Sequence, residues 1–365
     1  MNHRDRILCL LSGGVPDQVP WFGDLAYYAN ALQDLGKQPR DWQRSEAYYQ
    51  YHRQLGMGFY LQGYWAFQSV YDAGIEVSTE SKGGVTRQTI TTPVGTLWGE
   101  TTYLPQTFSS AVTRHMVNDL DELATLGYLF EHTHYRSDPE EALRRAPWVQ
   151  DLGLVLLYVP RAPFMELTVN YAGISNVVDL WMQDTAAFEQ VLEIMHRAGN
   201  EATEAALEVP ADAYMIPENL SSEVVGRFYE QYVQPVERDW IARIRAKGRY
   251  AFIHMDGTLK GLLGQVGQTG YDVIEAVTPV PAGDVALEDL RELAGPDPIL
   301  WGGLPGCMFS PVESDETFER HVRYALEVMV ADQRMVLGVA DQVPPDALPR
   351  RIARVIELVE RYGRY

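Results

Sequence analysis

Residues 250–277, YAFIHMDGTLKGLLGQVGQTGYDVIEAV, decide the fold. The apolar run YAFIH (250–254) ends in a polar, glycine-bearing turn; a longer segment of helical character follows, and then a second apolar run, DVIEAV (272–277). Such runs, bounded by turn signals, read as buried strands, and a strand, a crossover and another strand make the repeating unit of a parallel sheet. Working outward, the same rhythm recurs at VPWFG (19–23), MGFYLQ (57–62), LVLLYV (154–159), AYMI (213–216), ILWGG (299–303) and MVLGVA (335–340). Eight such units predict an α/β chain folded as a (β/α)8 TIM barrel, a single domain over residues 1–365.

The segments between the runs carry helical periodicity. SEVVGRFYEQYVQPVERDWIARIRAKG (222–248) repeats Val225, Phe228, Tyr232, Val236, Trp240 and Ile244 at helical spacing, with a glycine after the last turn, and LPRRIARVIELVERYG ends likewise at Gly363. One stretch breaks the pattern: residues 75–104, IEVSTESKGGVTRQTITTPVGTLWGETTYL, alternate β-formers around Gly83-Gly84 and Pro93-Val94-Gly95, predicting a β-hairpin insertion after the second strand.

Fifty acidic against thirty basic side chains give a formal charge of −20, which opposes binding to nucleic acid and to anionic membrane surfaces. No apolar stretch approaches the ~18 residues of a membrane span. The two cysteines, Cys9 and Cys307, make no disulfide framework, and MNHRDRILCLLSGG lacks a secretory apolar core, so the expected location is cytoplasmic.

In a barrel the chemistry gathers where strands end, so the polar residues that follow each run are the candidates. These are Asp24, Gln62 and Tyr64, Arg161, Glu218 and Asn219, His254 and Asp256, Glu275, Cys307, and Asp341 with Gln342. His254 and Asp256 are two apart at the end of one strand and so project to the same side. With Asp341 they supply three ligands of a type zinc or another divalent cation accepts, leaving a position open. Glu218 is a candidate fourth ligand or general acid, or else a helix cap. Arg161 could clamp a substrate carboxylate or pair with an acidic neighbour. Asp24, Tyr28, Tyr64 and Asn219 complete the expected substrate-binding set. No Walker loop, dinucleotide fingerprint or nucleophile elbow is present.

The chain resembles the uroporphyrinogen decarboxylase superfamily, and within it the corrinoid-dependent methyltransferase branch. The resemblance rests on RDRILCLLSGGVPDQVPWFG (4–23), TTPVGTLW (91–98), NDLDEL (118–123), AFIHMDGTLKGLLGQVGQTGYDVIEA (251–276) and GVADQVPPDALPRRI (338–352). The decarboxylases carry an arginine-rich motif after the first strand; here WFGDLAYYANAL (21–32) has no arginine, which disfavours a polyanionic tetrapyrrole substrate. The methyltransferases bind zinc through a His-x-Cys pair and a later cysteine, positions held here by His254, Asp256 and Asp341. Carboxylates in place of thiolates favour a harder site that polarises an oxygen. The resemblance therefore implies a zinc-dependent O-demethylase component, with Glu218 and His254 catalytic. Its methyl donor would be a methoxylated small molecule, and its partner a corrinoid protein whose cobalamin accepts the methyl group. Two other functions fit the residues: a metal-free lyase acting on a small carboxylic acid through Arg161, and a non-catalytic binding barrel.

Overall fold

The structure is a computed structural model that describes residues 1–60 and 64–365; the candidate Gln62 lies outside the described residues. Eight short strands follow the predicted runs: β1 (Trp21–Phe22), β2 (Phe59–Tyr60), β3 (Leu156–Tyr158), β4 (Ala213–Leu220), β5 (Tyr250–Met255), β6 (Val273–Val277), β7 (Ile299–Pro305) and β8 (Met335–Ala340). Seven of them form one parallel sheet in the order β1-β8-β7-β6-β5-β4-β3. β2 pairs in parallel with Gly153–Leu154, just ahead of β3, while single parallel bridges join Phe22 to Gly58 and Trp65 to Tyr158. Both edges of the large sheet therefore meet the β2 segment, a mixed α/β arrangement consistent with a TIM-barrel-like fold. Where β2 and the third run approach, Gly153 is required: a Cβ there would stand 1.9 Å from the Phe59 carbonyl oxygen.

Strand alternation sorts the side chains into two cores. Phe22, Tyr60, Leu154, Leu156, Ala213, Met215, Phe252, Val273, Ile299, Trp301 and Val336 pack with one another as a cluster contributed by all eight strand positions, the inner face of the sheet. Ile7 and Leu10 of the helix His3–Leu11 belong to the same cluster and plug one end. Arg4 of that helix fastens the plug, donating to Asp212 at 2.7 Å through two nitrogens and to the Gly153 carbonyl at 2.8 Å. Residues of opposite parity, such as Tyr214, Ile216, Ile253 and Ile274, join the larger core outside the sheet.

The single helix predicted over 222–248 is interrupted. A 3-10 turn at Gly226–Phe228 and a wide π turn at Tyr229–Val233 precede a regular helix at Gln234–Ala246. Pro235, in the first turn of that helix, has no N–H to continue an upstream ladder, so the regular helix begins there. Its predicted apolar residues nevertheless all pack into the outer core.

Glu76–Lys82, Val85–Thr92, Gly95–Leu104 and Ser109–Arg114 form a four-stranded antiparallel sheet in sequence order. Phe67–Tyr71 pairs antiparallel with Thr133–Ser137. No helix among the described residues is long and apolar enough to cross a membrane.

Trp301 is 1 % exposed and touches the rings of Phe22, Tyr60 and Phe252. Trp301→Ala is expected to destabilise the fold by about 3–5 kcal/mol through lost contacts and the cavity left behind, read from the urea midpoint.

Candidate active site

A cleft of about 560 Å³ opens at the carboxyl ends of the strands. The parity that points Phe252 and Val273 inward carries His254 and Glu275 to its floor, one residue pair further along β5 and β6. Glu275 is 2 % exposed. One of its oxygens accepts from the Tyr60 hydroxyl at 2.7 Å and the other lies 2.6 Å from His254 Nδ1. A carboxylate at that nitrogen fixes a proton on Nδ1 and turns Nε2 toward the opening.

What Nε2 faces is acidic. Asp341 Oδ1 lies 3.6 Å away and Asp256 Oδ1 3.8 Å away, beyond direct hydrogen bonding, and one ligand atom from each of the three residues falls within 4.8 Å of the others. Burial by itself would lower the imidazole, but Glu275, Asp341 and Asp256 outweigh it and raise His254 to about 10. Burial likewise pushes Asp341 up to about 6 against the pull of His254, with Asp256 and Glu275 adding repulsion. Three crowded carboxylates around one imidazole form a site short of positive charge.

Of the other candidates, Asp24, Tyr64, Arg161, Asn219 and Gln342 line the cleft. Asp24 accepts from the Ala26 backbone at 2.6 Å, opening the helix Ala26–Asp34. Asn219 holds a left-handed backbone, φ +56, and its amide oxygen accepts from Arg161 at 3.1 Å.

Two expectations require correction. Glu218 does not reach the cleft. Met215, Pro217 and Asn219 on β4 face the cleft, and Glu218, of the other parity, is fully buried on the other face of the sheet. There one of its oxygens accepts from the Ala162 backbone at 2.7 Å, just ahead of the helix Pro163–Glu166. Tyr28 is 5 % exposed and packs in the outer core, because helical spacing on Ala26–Asp34 turns it away from the cleft. The strand-end candidate Cys307 does not line the cleft, and burial raises its thiol.

The sequence reading missed Tyr60, Arg44 and Arg145. Tyr60 shared the inward parity of its strand, a signal present but unused. Arg44, from the 3-10 turn Trp42–Arg44, and Arg145, from the helix Glu140–Val149, reach the cleft from crossover elements and leave no strand-end signature.

Residues 159–362 match the uroporphyrinogen decarboxylase (URO-D) family, 204 of the 365 residues. The chain belongs to that family. The matched URO-D region begins at the end of β3 and carries His254, Asp256, Glu275 and Asp341. Among solved structures, a methyltransferase from Methanosarcina mazei is similar at a TM-score of 0.62 and 14 % identity, over 99 % of each chain, a likeness of fold. Among curated proteins none matches the sequence.

The buried pair Glu218 and Glu237 carries a consequence for stability. Burial raises both above the ordinary carboxylate range, with Glu237 adding repulsion at Glu218. A folded-state value above the unfolded one means the native state binds more protons in the intervening window, so this contribution is present at acid pH and lost as pH rises through the raised value. Glu237→Gln is expected to flatten the decline in melting temperature between pH 5 and pH 8 relative to the parent.

Proposed function

We propose that the protein is a metal-dependent methyltransferase, the O-demethylase component that takes a methyl group from a methoxylated small molecule and delivers it to a corrinoid protein. The convergence of His254, Asp256 and Asp341 carries this reading. Ligand atoms about 2.1 Å from a tetrahedral zinc stand roughly 3.4 Å apart. The 3.6 and 3.8 Å separations from His254 Nε2 are close to that spacing, and too long to be hydrogen bonds. A divalent cation among them would meet one nitrogen and two oxygens, relieve the crowded acids, and keep a position open toward the cleft.

A cation held there supplies Lewis acidity at the ether oxygen of the substrate, whose alkoxide or phenoxide is otherwise a poor leaving group. The protein's own groups prepare that event. Glu275 and Tyr60 lock the imidazole so that Nε2 is aimed and unprotonated when liganded. The rings of Phe59, Tyr64 and Trp65 supply apolar walls for an organic molecule. Glu218 takes no part in proton transfer at the mouth. The cobalamin belongs to the partner, which would dock over the cleft opening. The same reading takes the eight strands as a closed (β/α)8 ring and the antiparallel sheets spanning 67–137 as an insertion between its second and third strands.

The test is metal content together with methyl transfer. The parent is expected to hold about one zinc or other divalent ion per chain and to lose transfer on chelation. His254→Ala should lose both, by at least about 100-fold in rate, with an unchanged circular dichroism spectrum. Glu275→Gln should weaken metal affinity by about 10–100-fold while leaving the ligand set intact. Parent protein that binds no divalent ion contradicts the proposal.

A further inference from the structure

A second cavity, of about 340 Å³, adjoins the cleft, and Trp65 and Phe67 line both. Its volume falls within the range of small-molecule sites. Phe67 belongs to the strand Phe67–Tyr71, Tyr135 to its antiparallel partner and Phe130 to the helix Leu120–Glu131; with Trp65 and Tyr171 they surround the space with five rings. Met195, Gly199 and Ala202 of the helix Thr185–Leu207 form another side, and the small side chains of the last two leave room. Neighbouring rings meet at steep angles instead of stacking. Trp65 and Phe67 are 5.6 Å apart at 76°, Phe67 and Tyr135 5.8 Å at 72°, and Phe130 and Tyr171 5.7 Å at 71°. Parallel rings would leave a slot for a flat guest; near-perpendicular ones make corners and enclose a compact one.

One carboxylate lines this cavity. Glu166 ends the helix Pro163–Glu166, and the π winding of Leu167–Ala172 that follows brings residues five apart to one face, which sets Tyr171 on the same side. Both Glu166 oxygens accept from the Asn170 amide at 2.8 Å, a neutral donor, and among the described residues no ion pair joins them. Burial raises the Glu166 carboxyl, opposed by Asn170 and, from farther off, by Arg161. Burial also raises the Tyr135 and Tyr171 hydroxyls, and the charge of Glu166 is the next cause at both. Arg161 stands on the border with the cleft, 5.7 Å over the Trp65 ring, and donates at 3.1 Å to Asn219, a residue of the cleft. The cavity thus offers ring surfaces and a carboxylate bonded only to an amide, in a chain whose charge of −20 draws cations.

We propose that this cavity binds a small organic cation, a quaternary or fully alkylated ammonium group, with the rings around its methyl groups and Glu166 as its counter-ion. The face of an aromatic ring carries negative charge and attracts a cation, most strongly where water is displaced. A quaternary ammonium has no N–H to satisfy, so a wall of rings with one carboxylate suits it. A primary ammonium would need acceptors for three N–H groups, and a hard metal ion several oxygens. An anion is repelled by Glu166. None of these residues is a proposed metal ligand, so the site stands apart from the metal reading.

Calorimetric titration of the intact protein with choline and with 3,3-dimethylbutan-1-ol, the uncharged isostere in which carbon replaces nitrogen, tests this. The parent is expected to bind choline at least about tenfold more tightly than the alcohol. Glu166→Gln keeps the shape of the side chain and a bond to Asn170, and should lose about tenfold in choline affinity while leaving the alcohol unaffected. Tyr171→Leu keeps the carboxylate but removes a ring, and should weaken choline by a similar factor. Parent-like circular dichroism and melting temperature show each variant to be folded. Asp341→Asn removes a carboxylate from the cleft instead, and should bind choline as the parent does. No choline binding by the parent, equal affinity for choline and the alcohol, or parent affinity in folded Glu166→Gln or Tyr171→Leu overturns the proposal. Loss of choline binding in Asp341→Asn places the cation in the cleft and overturns it as well.

Discussion

Glu275 is buried, one oxygen on Tyr60 and the other on His254, and the geometry of the cleft floor depends on that contact. A buried carboxylate needs compensating donors, and here two side chains from β2 and β5 supply them. The effect is reciprocal. Glu275 is kept in place, and the imidazole loses its freedom to rotate. A His254 free to flip would present either nitrogen to the cleft; held by Glu275, it presents one.

The acidity of the chain as a whole and the character of its cleft are separate matters. At long range a charge of −20 repels anions, which argues against nucleic acid and polyanionic substrates. Within a few ångströms the local arrangement governs, because exposed charges beyond about 10 Å are screened at moderate salt. The cleft gathers acids around a histidine, and its lining also includes arginines beside aromatic rings.

The strand positions were legible because buried parallel strands are short, continuous and apolar, and that signal is local. His254, Asp256 and Asp341 were found by the rule that strands deliver their last residues to the mouth. The same rule misassigned Glu218, because position along a strand says nothing of face unless parity is counted: from Met215, inward, an odd step leads outward. Tyr28 failed for the equivalent helical reason. Arg44 and Arg145 were beyond reach, since a helix lying across the mouth is placed by tertiary packing and its sequence records only which face is apolar. The interruption of the helix before Gln234 was announced by Pro235, whose missing N–H was outweighed in the reading by the regular spacing of apolar residues.

Anomalous diffraction from crystals grown with zinc, recorded on both sides of the zinc absorption edge, is the most direct measurement of the account. A single strong peak about 2 Å from His254 Nε2, with oxygens of Asp256 and Asp341 in bonding distance and an open side toward the cleft, is the predicted result. A map with no peak there, and His254 bonded instead straight to an aspartate, would contradict it.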